Sequence, residues 1–385
     1  MLKSADSLVC NALAVFAVVL ISAQHAGAAE AEDSPGSKNA ALMYWLAFDQ
    51  LDATMADEKS ANIISDYATV ELDDKVKGLV EKSETLAMFH VAVALPECDW
   101  GTGPLMRIQG PALLLPHLNK TRTLARLALL RARWHLANHR GEKAVDDLVA
   151  VYALSRHVEQ EPILISMLVG HAINGMANMF IADQWNRFSA DDLKRLREKT
   201  AAIAPHITMK TAIAAEGRSM AAWLKNLVEG AKGKEFDEAA LELLGPQAAL
   251  LRAGGKEMMH GLIKDLGSFY DEMVPLFDLP RDRFFKEMDA LEGRVQESKN
   301  PLVKLLMPAL GVTYDVQART QTNDLIVQAA ITLRLEGRDK FDAIKDPYGE
   351  GPFALEQSAD AMVIKSKLVT RKEQVMLKFV TAKLK

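Results

Sequence analysis

The segment Cys98-Asp99-Trp100-Gly101 gathers a thiol, a carboxylate and an indole within PECDWGTGPL, a stretch rich in Gly and Pro. A thiol becomes a nucleophile when a cation stabilises its thiolate or a nearby base removes its proton. His90, His117 and His135 are the bases that could serve it. The flanking acids Glu97 and Asp99 oppose that chemistry, because their field favours the neutral thiol. No cysteine-hydrolase signature surrounds Cys98. The plainer reading is a structural loop, with Cys98 buried as a small apolar residue, Trp100 packed on neighbouring helices, and Gly101 and Gly103 in turns. As a ligand site the loop offers Asp99 and Trp100. A histidine or second acid converging on it would favour an enzyme.

Two further groupings carry charge or polarity at helical spacing. Arg122, Arg126, Arg133 and Arg140 fall within about 40° of one another on a helical wheel, a stripe able to grip carboxylates or phosphates or to pair with acids such as Glu142 and Asp146. Arg131 points instead toward Leu124, Leu127 and Trp134 on the core side. A buried guanidinium needs a partner, and Asp146 and Asp147 are the natural ones. His171, Asn174 and Asn178 follow i, i+3, i+7 spacing inside the most apolar segment, ILISMLVGHAINGMANMFIA. They read as a satisfied polar network in a helical core, with a pocket lining or a membrane-embedded face as the alternatives.

Other chemistry has no footing in the linear pattern. There is no P-loop, no GxGxxG after a strand, no HExxH and no EF-hand loop, and GHAING lacks the serine of a nucleophile elbow. The sequence therefore implies no catalytic residue, no metal-ligand set and no cofactor. Paired acids such as Asp73-Asp74 and Asp191-Asp192 fall at predicted helix starts, where the dipole favours them without any chemistry. A net charge of −5 over 385 residues gives no general attraction to nucleic acid or anionic lipid.

The elements that must position these groups are helices. Hydrophobic residues are 49% and charged residues 25%, an ordinary globular balance, and the surplus of Ala, Leu and Met favours helix over sheet. Residues 1–28 read as a signal peptide: Lys3, the apolar run Leu8 to Ile21, then Ala26-Gly27-Ala28, with cleavage expected after Ala28. A retained anchor is the alternative and would be the chain's one membrane attachment. Cleavage leaves Cys98 as a single cysteine, which cannot form an internal disulfide. Residues 29–38 read as a linker, 39–345 as a helical body with a soft division near 188–207, and 346–385 as a small β-meander.

Within the body, Leu42, Trp45 and Leu46 share a helical face, and Asp73 to Leu95 is one long patterned stretch. The stretch from Pro116 is predicted to run as helix to a C-cap at Gly141. A second helix at 142–157 makes an antiparallel hairpin with it. Ser189 with Asp192 suggests a capping box. Helices are expected near 206–232, 236–253, 256–277, 281–298 and 313–336. After DPYGEGP the pattern alternates every second residue, which predicts three antiparallel strands, the last ambiguous with a short helix. A degenerate helical-repeat array is an alternative arrangement, although no period recurs three times.

The pieces NAALMYWLAF, LPECDWG, LLPHLNKTRTLARLALLRAR, the RH and LISMLV run, and LRLEGRDKFDAIKDPYGEGPF resemble an uncharacterised family of secreted, mostly helical bacterial proteins. The resemblance implies export and a helical fold and brings no activity or site. The sequence reading is thus an all-α body with a small C-terminal antiparallel sheet. It functions as an extracytoplasmic scaffold or binding protein for a protein or peptide partner. The rival is an enzyme centred on Cys98, Asp99 and Trp100.

Overall fold

A computed structural model describes residues 38–161, 163–230, 248–307, 311–370 and 373–382. The segment read as a signal peptide, nearly all of the expected linker and most of the helix expected at 236–253 lie outside the described residues. The rest is a helical body that ends in a three-stranded antiparallel sheet.

Local chemistry sets the element ends. Helix α1 (Ala40–Met55) starts where the Asn39 side chain accepts from the Ala41 amide. Its Tyr44, Phe48 and Leu51 are buried, whereas the Leu42, Trp45 and Leu46 face is turned to solvent. Helix α2 (Glu58–Ser65) follows. The stretch read as continuous from Asp73 is instead two helices, α3 (Asp74–Glu81) and α4 (Glu84–Val93). Ser83 stops the first and caps the second, its hydroxyl accepting from the Leu86 amide. The Gly-rich loop is shorter than its composition suggests, because α5 (Thr102–Gln109) begins inside it.

Helix α6 (Pro116–Ala137) uses Pro116 in its first turn, where the missing amide is no loss. Gly141 does not cap it: the left-handed residue is His139, at φ +56°. Gly141 is the first residue of α7 (Gly141–Glu159), and a side chain there would collide with the Asp192 carboxylate. Helix α8 (Leu164–Asp183) returns antiparallel to α7. The two come close at Gly170, where an added Cβ would lie 2.7 Å from the Ser155 carbonyl oxygen. Among the described residues α8 is the helix long and apolar enough to span a membrane, yet most of it is buried within the fold.

Helix α9 (Ala190–Ala201) carries a full capping box, with Ser189 and Asp192 bonding each other's backbone amides. Then come α10 (Met209–Gly230), α11 (Ala248–Met273), α12 (Arg281–Glu297), the short α13 (Pro301–Leu306), α14 (Gly311–Glu336) and α15 (Arg338–Asp342).

The last run is a strand, not a helix. Strands β1 (Ala354–Gln357), β2 (Ala361–Thr370) and β3 (Glu373–Val380) pair in that order, with Ile364 opposite Leu355 and Leu377. Met362, Ile364, Ser366 and Leu368 are buried, as are Val375, Leu377 and Phe379, so one pleat face lies on α14 and α8. The hydrophobic interior falls into two clusters. One joins α1–α4, α6–α9, α14, α15 and the sheet, and the other joins α10–α13 with Met167 of α8.

Candidate functional site

The Cys98 loop is tied down at several points. Asn39 donates to the Asp99 carbonyl and accepts from its amide, both at 2.9 Å, and Gln160 accepts from the Cys98 amide at 2.7 Å. Gly101 takes φ +73°, a conformation that favours glycine, and its amide donates to the Asp99 carboxylate at 2.8 Å. Trp100 is buried, its indole N–H donating to the His157 carbonyl and its ring stacked 4.6 Å from the His117 ring. Tyr44 stacks on the same indole at 5.4 Å and hydrogen-bonds His157 Nδ1 at 2.8 Å.

A histidine and a second acid do reach this loop. Glu161, buried in the α7–α8 connection, accepts from the Thr102 and Ser166 hydroxyls, and its Oε2 lies 3.2 Å from His117 Nε2. They do not activate the thiol. Among the described residues no hydrogen bond joins a histidine to Cys98. Burial raises the thiol pKa well above its usual value, and the charges of Asp99 and Glu161 add to that effect. What the loop does border is a cleft. A cavity of about 400 Å³ is lined by Asp99, Trp100, Thr102, Gln160 and Glu161. It adjoins one of about 280 Å³ lined by Leu113, Leu115, Ile165, Leu168 and Met220, and the two share Met106, Ile163 and Ser219.

The arginine stripe is dispersed among separate partners. Arg133 donates to the carbonyls of Tyr67 and Val70, and Arg140 pairs with Glu81. Arg122 and Arg126 are half-buried. Arg131 forms a fork with the buried Asp147, Nε to Oδ2 at 3.0 Å and Nη2 to Oδ1 at 2.5 Å. His90 Nε2 lies 2.8 Å from the same carboxylate. Asp146 holds Arg195 and Lys199 instead.

The densest polar grouping lies where α7, α8 and α14 meet the chain before α10. Asn174 and Asn178 project from α8 and both donate to Asp324 Oδ1 of α14, at 2.6 and 2.7 Å. The Asn178 carbonyl oxygen accepts from Tyr152, and that of Asn174 accepts from Arg156. His206 bridges two carboxylates, with Nδ1 2.7 Å from Glu159 Oε1 and Nε2 3.3 Å from Asp324 Oδ2. Burial works against a charged ring at His206, but its hydrogen bonds to Asp324 and Glu159 outweigh burial and raise its pKa.

His171 differs from its neighbours. It is 1% exposed, its ring centroid lies 4.6 Å from that of His206, and neither ring nitrogen has a hydrogen-bond partner. Burial, with the nearby His206 and Arg156, lowers its pKa to about 3, so the ring is neutral. Beside this centre a cavity of about 370 Å³ is lined by Tyr152, Arg156, Asn178, Asp324 and Gln328, among others.

No family model matches the chain, and no curated protein or solved structure is significantly similar to it. Function is therefore argued from these arrangements. Sequence spacing placed His171, Asn174 and Asn178 on one helix face. It gave no sign of Glu159, His206 and Asp324, which complete the centre from three other segments.

Proposed function

We propose that this is an exported, non-enzymatic binding protein whose ligand is a peptide segment of a partner, held in the cleft beside the Asp99–Trp100 loop. The observation that carries the reading is the pairing of an acidic compartment with an apolar one along one continuous surface. The acidic end carries Asp99 and Glu161, and the apolar end Ile165, Leu168 and Met220. A peptide with a Lys or Arg followed by apolar side chains complements both ends, with the charge giving orientation and the apolar contacts most of the affinity.

Selection of a random-peptide library on the immobilised protein tests this. Enriched sequences are expected to join a cation to an apolar run. Their affinity should fall roughly tenfold in Ile165→Glu and in Asp99→Asn, which keeps the Gly101 hydrogen bond but removes the charge. Enrichment no greater than on a blank surface, or peptides indifferent to both substitutions, would reject the cleft.

Export rests on the basic start, apolar run and Ala-Gly-Ala of residues 1–28. The protein recovered from its host is expected to begin at Ala29, and a mature form retaining Met1 would contradict cleavage.

A further inference from the structure

We infer that Glu159, His171 and His206 form a binding site for one divalent transition-metal ion, with Zn²⁺ as the reference case. Two imidazoles and a carboxylate are the donor set that such ions take, and they come here from the end of α7, the middle of α8 and the segment before α10. One donor atom from each of the three lies within 4.8 Å of the others. His206 Nδ1 is 2.7 Å and His171 Nδ1 4.0 Å from Glu159 Oε1. Donors placed about 2.0–2.2 Å from a tetrahedral ion stand about 3.3 Å apart. The ion therefore needs the Glu159–His206 pair to open and the Glu159–His171 pair to close, each by well under an ångström, and the two imidazole donors, within 4.8 Å of each other, to settle at the same spacing.

Two independent features set this cluster apart from an ordinary buried polar network. The first is the orphan imidazole. Every other group in the centre is hydrogen-bonded, whereas both nitrogens of His171 are buried and unpartnered at the side of a carboxylate. A buried polar group left unpaired costs roughly 1–3 kcal/mol, so in a network otherwise satisfied this one has a ligand-shaped gap in its bonding.

The second feature is the support behind His206. Metal-bound histidines commonly donate their far N–H to a carboxylate that fixes the tautomer. Asp324 occupies that position on Nε2, leaving Nδ1 to face Glu159. Asp324 is itself oriented by the amides of Asn174 and Asn178. Asp324 is thus a positioning residue, two bonds removed from the ion.

The charges agree. Glu159 and Asp324 contribute two negative charges against the single positive charge of Arg156, whose guanidinium is 3.9 Å from a carboxylate oxygen of each and is held by Ala204, Ser155 and Asn174. With both imidazoles neutral, as ligands must be, the charge left around the donors is −1, which favours a cation.

The test is calorimetric titration of the chelator-treated full chain with ZnSO₄, and with CoCl₂ followed by visible absorption. One ion per chain is expected, together with a rise in melting temperature on loading. His171→Phe separates a ligand from a structural residue. It removes no hydrogen bond, so the metal-free variant should fold and melt no lower than the parent does, while ion binding and the cobalt spectrum should be lost. Asp324→Asn should bind 10–100-fold more weakly, with an altered cobalt spectrum. A flat titration of the folded parent, as expected if water alone fills the gap, would overturn the inference. So would His171→Phe binding as tightly as the parent. Neither result bears on peptide binding in the cleft.

Discussion

At the scale of the residue, the contrast between Asp147 and His171 is instructive. Asp147 is buried and accepts from Arg131 twice and from His90, so its charge is compensated on every side. Removing one half of such a pair leaves the other charge stranded in a poor solvent, whereas removing both costs little. Arg131→Met, which strands the buried Asp147 carboxylate, is expected to destabilise by about 3 kcal/mol, and Asp147→Ala by less, since the guanidinium it leaves behind reaches the surface. In urea unfolding the double variant should be more stable than the sum of the single changes predicts, by at least about 1 kcal/mol. Additive effects would mean that the fork contributes geometry without energy.

What could be read of these groups from the sequence was the direction in which each points. Helical spacing put Arg131 apart from the Arg122 stripe and joined His171 to the two asparagines. Their partners could not be read, because His206 and Asp324 are separated from α8 by unrelated segments, and only the packing of helices brings them near.

At the scale of the element, helix ends were legible where capping chemistry or Pro marked them, as at Pro116 and Ser189. They were obscure where one residue both stops and starts a helix. Ser83 interrupts a run whose apolar pattern continues across it, so periodicity alone joined α3 to α4. Gly141 misled for another reason. A glycine after a helix usually signals a left-handed cap, but here the residue is small because Asp192 occupies the space of its side chain.

Gly170 is the comparable position between α7 and α8. A methyl there meets the Ser155 carbonyl, which cannot yield without moving a helix, and the Glu159 side chain, which must be pushed aside. Gly170→Ala should lower stability by about 1–3 kcal/mol through overpacking and should also weaken ion binding by displacing Glu159. Gly175→Ala on the same helix, where a Cβ meets nothing within 4 Å, should be neutral or stabilising by up to about 1 kcal/mol. Thermal unfolding of the two variants side by side checks this, and equal effects would contradict the close-approach argument.

At the scale of the whole molecule, the sheet seals one end of the first hydrophobic cluster, while α10–α13 build the second. The alternating pattern after residue 353 made the sheet readable. The sequence suggested a soft division near 188–207 but not which helices share an interior, because each helix shows the same kind of apolar stripe whichever core it faces. The α7–α8 connection lies between the two binding regions. Glu159 closes α7 among the imidazoles, and Glu161, two residues on, receives Thr102, Ser166 and His117 at the edge of the cleft. Two ligands that each bias the position of one short segment are thermodynamically linked. Whatever factor the ion applies to peptide affinity, the peptide must apply to ion affinity, with the same sign and size. Were both sites filled, the occupancy of one compartment would be felt in the other through that segment.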